Sequence, residues 1–223
     1  MTKSRIVFLF VCVVVLVAPT AKADGGAPLA ATYAPPFRPL IPPCDGLNEP
    51  HAYATSIDQT RHVYANVATE TPFSTSSSDY YEAYLRLSDN SGNYIQIHVK
   101  RTPTDQGVMK VIGRSHDSSG TFDSTADNFT TAPNLELRYN SVSGAWEAYD
   151  GSRVLKSQFL SVVGSKTREF GVTVYPNTTY CPSVSATFTS TDPAASGLTY
   201  ADDGNYHVTQ LSSTSLRVTG PSS

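Results

Sequence analysis

Residues 84–101 read YLRLSDNSGNYIQIHVKR, and their alternation decides the fold. Leu85 and Leu87 in the first run, then Ile95, Ile97 and Val99 in the second, fall at every second position. That is the period of a strand with one buried face. Residues 89–93, rich in Asp, Asn, Ser and Gly, lie between the runs and are turn formers. A slip of one residue would throw every apolar side chain onto the wrong face. The hairpin is therefore expected to pair Leu87 with Ile95, Leu85 with Ile97 and Ala83 with Val99. On the other face this register sets Arg86 opposite Gln96, Tyr84 opposite His98 and Glu82 opposite Lys100. Directly paired residues lie about 5 Å apart at Cβ. Tyr84, Arg86, Gln96 and His98 are thus expected as a compact polar patch flanked by Tyr80 and Tyr94. One reading is a plain wet face with a Glu82–Lys100 ion pair. The other is a binding surface, since tyrosine rings beside Gln, Arg and His suit sugar hydroxyls and carboxylates.

The same signal continues along the chain. Residues 62–68, 80–88, 94–101, 107–114, 134–139, 145–149, 168–175, 184–189, 198–201, 205–211 and 214–219 read as strands. Turn residues separate them at 140–144, 150–151 and 202–205. So many short strands mean a sandwich or a barrel, and the fold expected is a two-sheet antiparallel β-sandwich. At most one short helix fits, near residues 152–163, and residues 115–133 read as a long polar loop. Trp146, with Ala148 at strand spacing, is expected in the core, and His116 in solvent. Asn128 and Asn177 head glycosylation sequons, meaningful only in a eukaryotic source.

The ends carry a different message. Lys3 and Arg5 precede twelve apolar residues, 6–17, and Ala21-Lys22-Ala23 follows as a small-x-small cleavage site. The run is too short to span a bilayer permanently, so residues 1–23 read as a signal peptide. Residues 24–50 form a proline-rich extension, and 51–223 are expected as a single domain. Export leaves Cys44 and Cys181, whose expected state in an oxidising compartment is a disulfide. No Cys/His cluster suggests a metal. Acidic turns at 89–93 and 202–205 offer calcium donors, but such runs mostly serve as turns, and no cofactor is expected. The net charge of −3 and 16% charged residues exclude a nucleic-acid surface.

Three stretches together carry a family resemblance: AYLRLSDNSGNYIQIHVKR, LELRYNSVSGAWEAYDGSRVL and REFGVTVY. Their succession resembles the concanavalin A-like lectin/glucanase jelly roll. The resemblance implies a carbohydrate held on a concave sheet, here by Tyr80, Tyr84, Arg86, Tyr94, Gln96, His98 and Lys100. Gln96-Ile97-His98 is similar to the QIH tripeptide of alginate-lyase-type jelly rolls. That similarity implies Gln96 and Arg86 at a uronate carboxylate, with His98 and Tyr175 in proton transfer. β-Elimination needs the carboxylate charge suppressed, then a base and an acid on either side. Glycoside hydrolysis fits less well: it needs two carboxylates about 5–9 Å apart, and Glu82, Glu136, Glu147 and Glu169 are each alone on their strands. The nucleophile motif GxSxG is absent. The expectation is a secreted or periplasmic, monomeric glycan-binding sandwich with no membrane or nucleic-acid partner. Its alternatives are a polysaccharide lyase and a structural or adhesive sandwich.

Overall fold

The computed structural model describes Cys44 and residues 46–56, 61–74, 76–151, 153–161, 165–177, 181–190 and 198–221. The signal peptide and most of the proline-rich extension expected from the sequence lie outside the described residues. Among the described residues every regular element is a strand. In chain order these are β1 (His51–Ser56), β2 (His62–Thr69), β3 (Tyr80–Asp89), β4 (Tyr94–Arg101) and β5 (Met109–Asp117). Then come β6 (Gly120–Asp123), β7 (Asp127–Phe129), β8 (Asn134–Asn140), β9 (Ala145–Tyr149) and β10 (Val154–Gln158). The last five are β11 (Lys166–Tyr175), β12 (Val184–Thr189), β13 (Thr199–Ala201), β14 (His207–Ser212) and β15 (Ser215–Gly220).

Two antiparallel sheets result. The first has eight strands in the order β13-β1-β11-β3-β4-β5-β6, with β7 also paired to β5. The second has seven, β10-β9-β8-β2-β12-β15-β14. Leu85, Leu87, Ile95, Ile97, Val99, Phe170 and Val172 of the first sheet meet Val63, Leu135, Leu137, Trp146, Phe188 and Val218 of the second. Burying such side chains stabilises by roughly 1.5–3 kcal/mol each, so the sandwich is held by this layer. The expected hairpin register is the observed one, from Tyr81 opposite Arg101 to Ser88 opposite Tyr94.

Three segments differ from the sequence reading. The segment near 152–163, where one short helix could fit, holds a strand, β10, returning from β9 through the turn at Gly151 (φ 91°). Gly113 makes room for it: a Cβ there would come within 2.8 Å of Leu155 Cβ and 2.9 Å of Lys156 Cβ. The expected loop 115–133 holds the end of β5 and two edge strands, with Gly120 (φ 127°) closing the β5–β6 hairpin. Strand β1 was not expected. It pairs with β11, and residues 48–50 extend that pairing: Val174 N–H donates to Asn48 O at 2.8 Å and Val172 N–H to Pro50 O at 3.0 Å. The expected Cys44–Cys181 disulfide is formed, closing a separation of 137 residues and tying this strap beside the start of β12.

Candidate functional site

Alternation places Tyr80, Glu82, Tyr84 and Arg86 of β3 on the outer face of the eight-stranded sheet. Opposite them on β4 are Tyr94, Gln96, His98 and Lys100; β5 adds Lys110, Arg114 and His116, and β11 adds Glu169, Thr173 and Tyr175. Tyr175, on β11 and eight strands further along the chain, stacks on Tyr80 with ring centroids 4.4 Å apart. The expected sugar-binding and catalytic residues therefore share one face.

They do not share one kind of surface. Tyr84, Gln96 and His98 are wholly buried, and Glu82 nearly so. The reason is the reach of two arginines. Arg114, on β5, extends across β4 to Glu82 on β3, donating from NH1 at 2.6 Å and from NH2 at 3.1 Å. Its Nε and NH2 also donate to Asp123 of β6 at 2.7 and 3.0 Å, which holds the Asp123 carboxyl below its ordinary range. This bridge roofs His98. Arg86 lies between the rings of Tyr84 (4.4 Å) and Tyr94 (4.9 Å). Its Nε donates to Gln96 Oε1 at 2.8 Å, and its NH1 to Glu169 Oε2 at 3.3 Å. Tyr84 in turn lies over the backbone of Gly171, where a Cβ would sit 2.8 Å from the phenol oxygen and 2.7 Å from His51 Cβ.

The network fixes a tautomer. Arg86 can only donate, so it selects the carbonyl end of the Gln96 amide and leaves the NH2 facing His98 Nδ1 at 3.2 Å. Nδ1 must accept, and the one proton of a neutral imidazole then sits on Nε2, 3.4 Å from Glu82 Oε1. Burial keeps the ring neutral, depressing its pKa to about 4, and Arg114 adds to that effect against the pull of Glu82. The Tyr175 hydroxyl donates to Glu82 Oε2 at 3.4 Å; burial first, then that carboxylate, push its pKa up to about 12. Two hydrogen-bonded runs result, Asp123–Arg114–Glu82 and His98–Gln96–Arg86–Glu169, which meet where His98 Nε2 lies near Glu82 without a hydrogen bond. The bland expectation of a Glu82–Lys100 ion pair is not met. Glu82 turns to Arg114, and the Lys100 ammonium lies 3.6 Å from the centre of the Tyr80 ring.

Above this floor, Tyr80, Tyr94, Tyr175, Arg86, Lys100 and His116 remain partly accessible, and Lys110 is exposed. His116 is not free in solvent; it stacks on Tyr94 at 5.0 Å and bonds Thr121 at 2.8 Å. Arg114 and Lys110 were missed from the sequence, although Met109, Val111 and Gly113 alternate with Lys110 and Arg114 and carry the signal. Trp146 is a core residue, as its strand spacing predicts. Asn128 and Asn177 are both exposed. At one expected calcium turn, Asp89 spends both oxygens on N–H groups of Ser91, Asn93 and Ser161. At the other, Asp202 accepts from Val208 N–H and bonds His207. Among the described residues no group of three or more His, Cys, Asp or Glu side chains is placed to hold a metal.

Neither a protein-family model nor a curated protein matches the chain. Among solved structures it is similar to scytalidoglutamic peptidase. One structure, with a transition state analog inhibitor, aligns at 11% identity and a TM-score of 0.53. Another, with a peptide based transition state analog, aligns at 12% and 0.49. Both cover 78% of this chain and 98% of the peptidase. At that identity the likeness is one of fold, an all-β sandwich.

Proposed function

We propose that this chain is an exported carbohydrate-binding protein that holds a polysaccharide along the outer face of its eight-stranded sheet. The observation that carries the reading is the layering of that face. Buried Gln96, His98, Glu82 and Tyr84 make a floor fixed by two arginines, and partly exposed Tyr80, Tyr94 and Tyr175 stand over it with Lys100. Rigid rings with polar tips give contact area at little cost in ordering. Residues 1–23 and the Cys44–Cys181 bridge support export to an oxidising compartment. The concanavalin A-like assignment of the sandwich belongs to the same proposal.

β-Elimination is the weaker version. Gln96, His98, Arg86 and Tyr175 lie on one face, but His98 and Gln96 are sealed under side chains and committed to each other. A second reading, peptide hydrolysis, comes from the peptidase whose fold this chain resembles. It would draw on Glu82 or Glu169, two carboxylates of this face, each of which is held by an arginine.

The test is retention on a panel of immobilised polysaccharides, run beside ultraviolet detection of unsaturated sugar ends and an unfolded-protein digest from acid to neutral pH. Retention without turnover is the expected result, weakened about tenfold by Tyr80→Ala with Tyr175→Ala. New unsaturated ends would replace binding by lyase activity; cleaved protein would replace it by the peptidase reading.

A further inference from the structure

We infer that the polymer on this face is anionic and that Lys100 and Lys110 read its carboxylate or sulfate groups, an inference that rests on the carbohydrate-binding reading. The two lysines face each other directly across β4 and β5. Like charges in that relation destabilise a sheet, so the pair calls for an answering acid. Among the described residues none answers it. Glu82, which faces Lys100 from β3, is given to Arg114. Asp123, the acid of the neighbouring edge strand, is given to the same arginine. On its other side Lys110 faces Asn128 of β7, which carries no charge. Among the described residues neither lysine makes an ion pair.

Their setting matches a sugar acid. Lys100 is fixed over one face of the Tyr80 ring and Tyr175 stacks on the other, so a cation stands beside an aromatic stack whose hydroxyls and edges are left for a sugar. Arg114 cannot do this work, because its Nε, NH1 and NH2 all donate to Glu82 or Asp123. An ammonium is a compact point charge with no directional fork, so carboxylate and sulfate are taken alike. An acidic group set between the two ammoniums turns a repulsive rung into an attractive one.

The experiment compares binding to dextran, dextran sulfate, polygalacturonate and carboxyl-reduced polygalacturonate at low and at physiological salt. The acidic polymers should bind about tenfold or more tighter than their neutral backbones, with the preference shrinking as salt rises. K100Q/K110Q should remove that preference while the protein stays folded with a thermal midpoint close to the wild type's, since loss of the repulsive rung offsets loss of the Lys100–Tyr80 contact. Equal binding of acidic and neutral polymers, or an unchanged preference in the double variant, overturns this inference and leaves the carbohydrate reading standing. No binding to any of the four overturns both.

Discussion

The outer faces of the two sheets look alike in sequence and differ in kind. On the seven-stranded sheet, Tyr64, Asn66, Glu136 and Arg138 make short contacts with nearest neighbours. Tyr64 and Asn66 both donate to Asn134, and Arg138 lies over Tyr149 while pairing with Glu136. Arg138 keeps 43% of its side chain exposed. On the eight-stranded sheet, Arg114 keeps 15% and Glu82 only 3%. One long side chain that reaches over a middle strand, Arg114, and a second, Arg86, that ties its own strand to both neighbours separate a sealed polar layer from an ordinary wet face.

That contrast can be broken first at Arg114. Arg114→Met leaves the buried Glu82 carboxylate without its cation, and should cost about 3–5 kcal/mol in denaturant unfolding. A loss below about 1 kcal/mol would mean that the layer is as wet as its counterpart.

Next in size is a pH effect confined to the sealed face. The folded His98 pKa, about 4, lies below the unfolded value of about 6.5. Between those two limits the unfolded chain binds the extra proton, so stability falls as pH falls through that window. Below it both states are protonated and the loss stops growing. The whole effect is roughly 3 kcal/mol. Thermal midpoints of the wild type against His98→Gln, measured from pH about 4 to about 7, should show the variant lacking this part of the slope.

The smallest effect belongs to the open face. Arg138→Met should change stability by no more than about 1 kcal/mol in the same denaturant assay, because exposed pairs are screened and mobile.

How much of this was legible follows from where the constraint lies. The β3–β4 register could be read because Leu85, Leu87, Ile95, Ile97 and Val99 must all face one core. The sharing of one face by Arg86, Gln96 and His98 came with it. The partner of Glu82 could not be read, because Arg114 chooses it by side-chain length across a strand, and adjacency pointed to Lys100. Strands β6, β7 and β10 escaped because they are edges with little buried surface, so their side chains carry no clean alternation. Tyr175 was named through a family pattern, and its seat beside Tyr80 follows from the β11–β3 pairing.

The Cys44–Cys181 bridge also sets how the domain would yield under tension. A pull on the chain ahead of Cys44 is carried through sulfur to Cys181, just before β12, and a pull from Pro221 enters at the end of β15. Val184 and Gly220 are opposite each other at that end of the pair. Load therefore opens β12 from β15 one rung at a time, in the manner of a zipper, within the seven-stranded sheet. With the bridge reduced, the same pull is borne by the strap at Asn48 and by β1 against β11. The oxidised bond directs mechanical failure away from the sheet that carries the tyrosines and lysines.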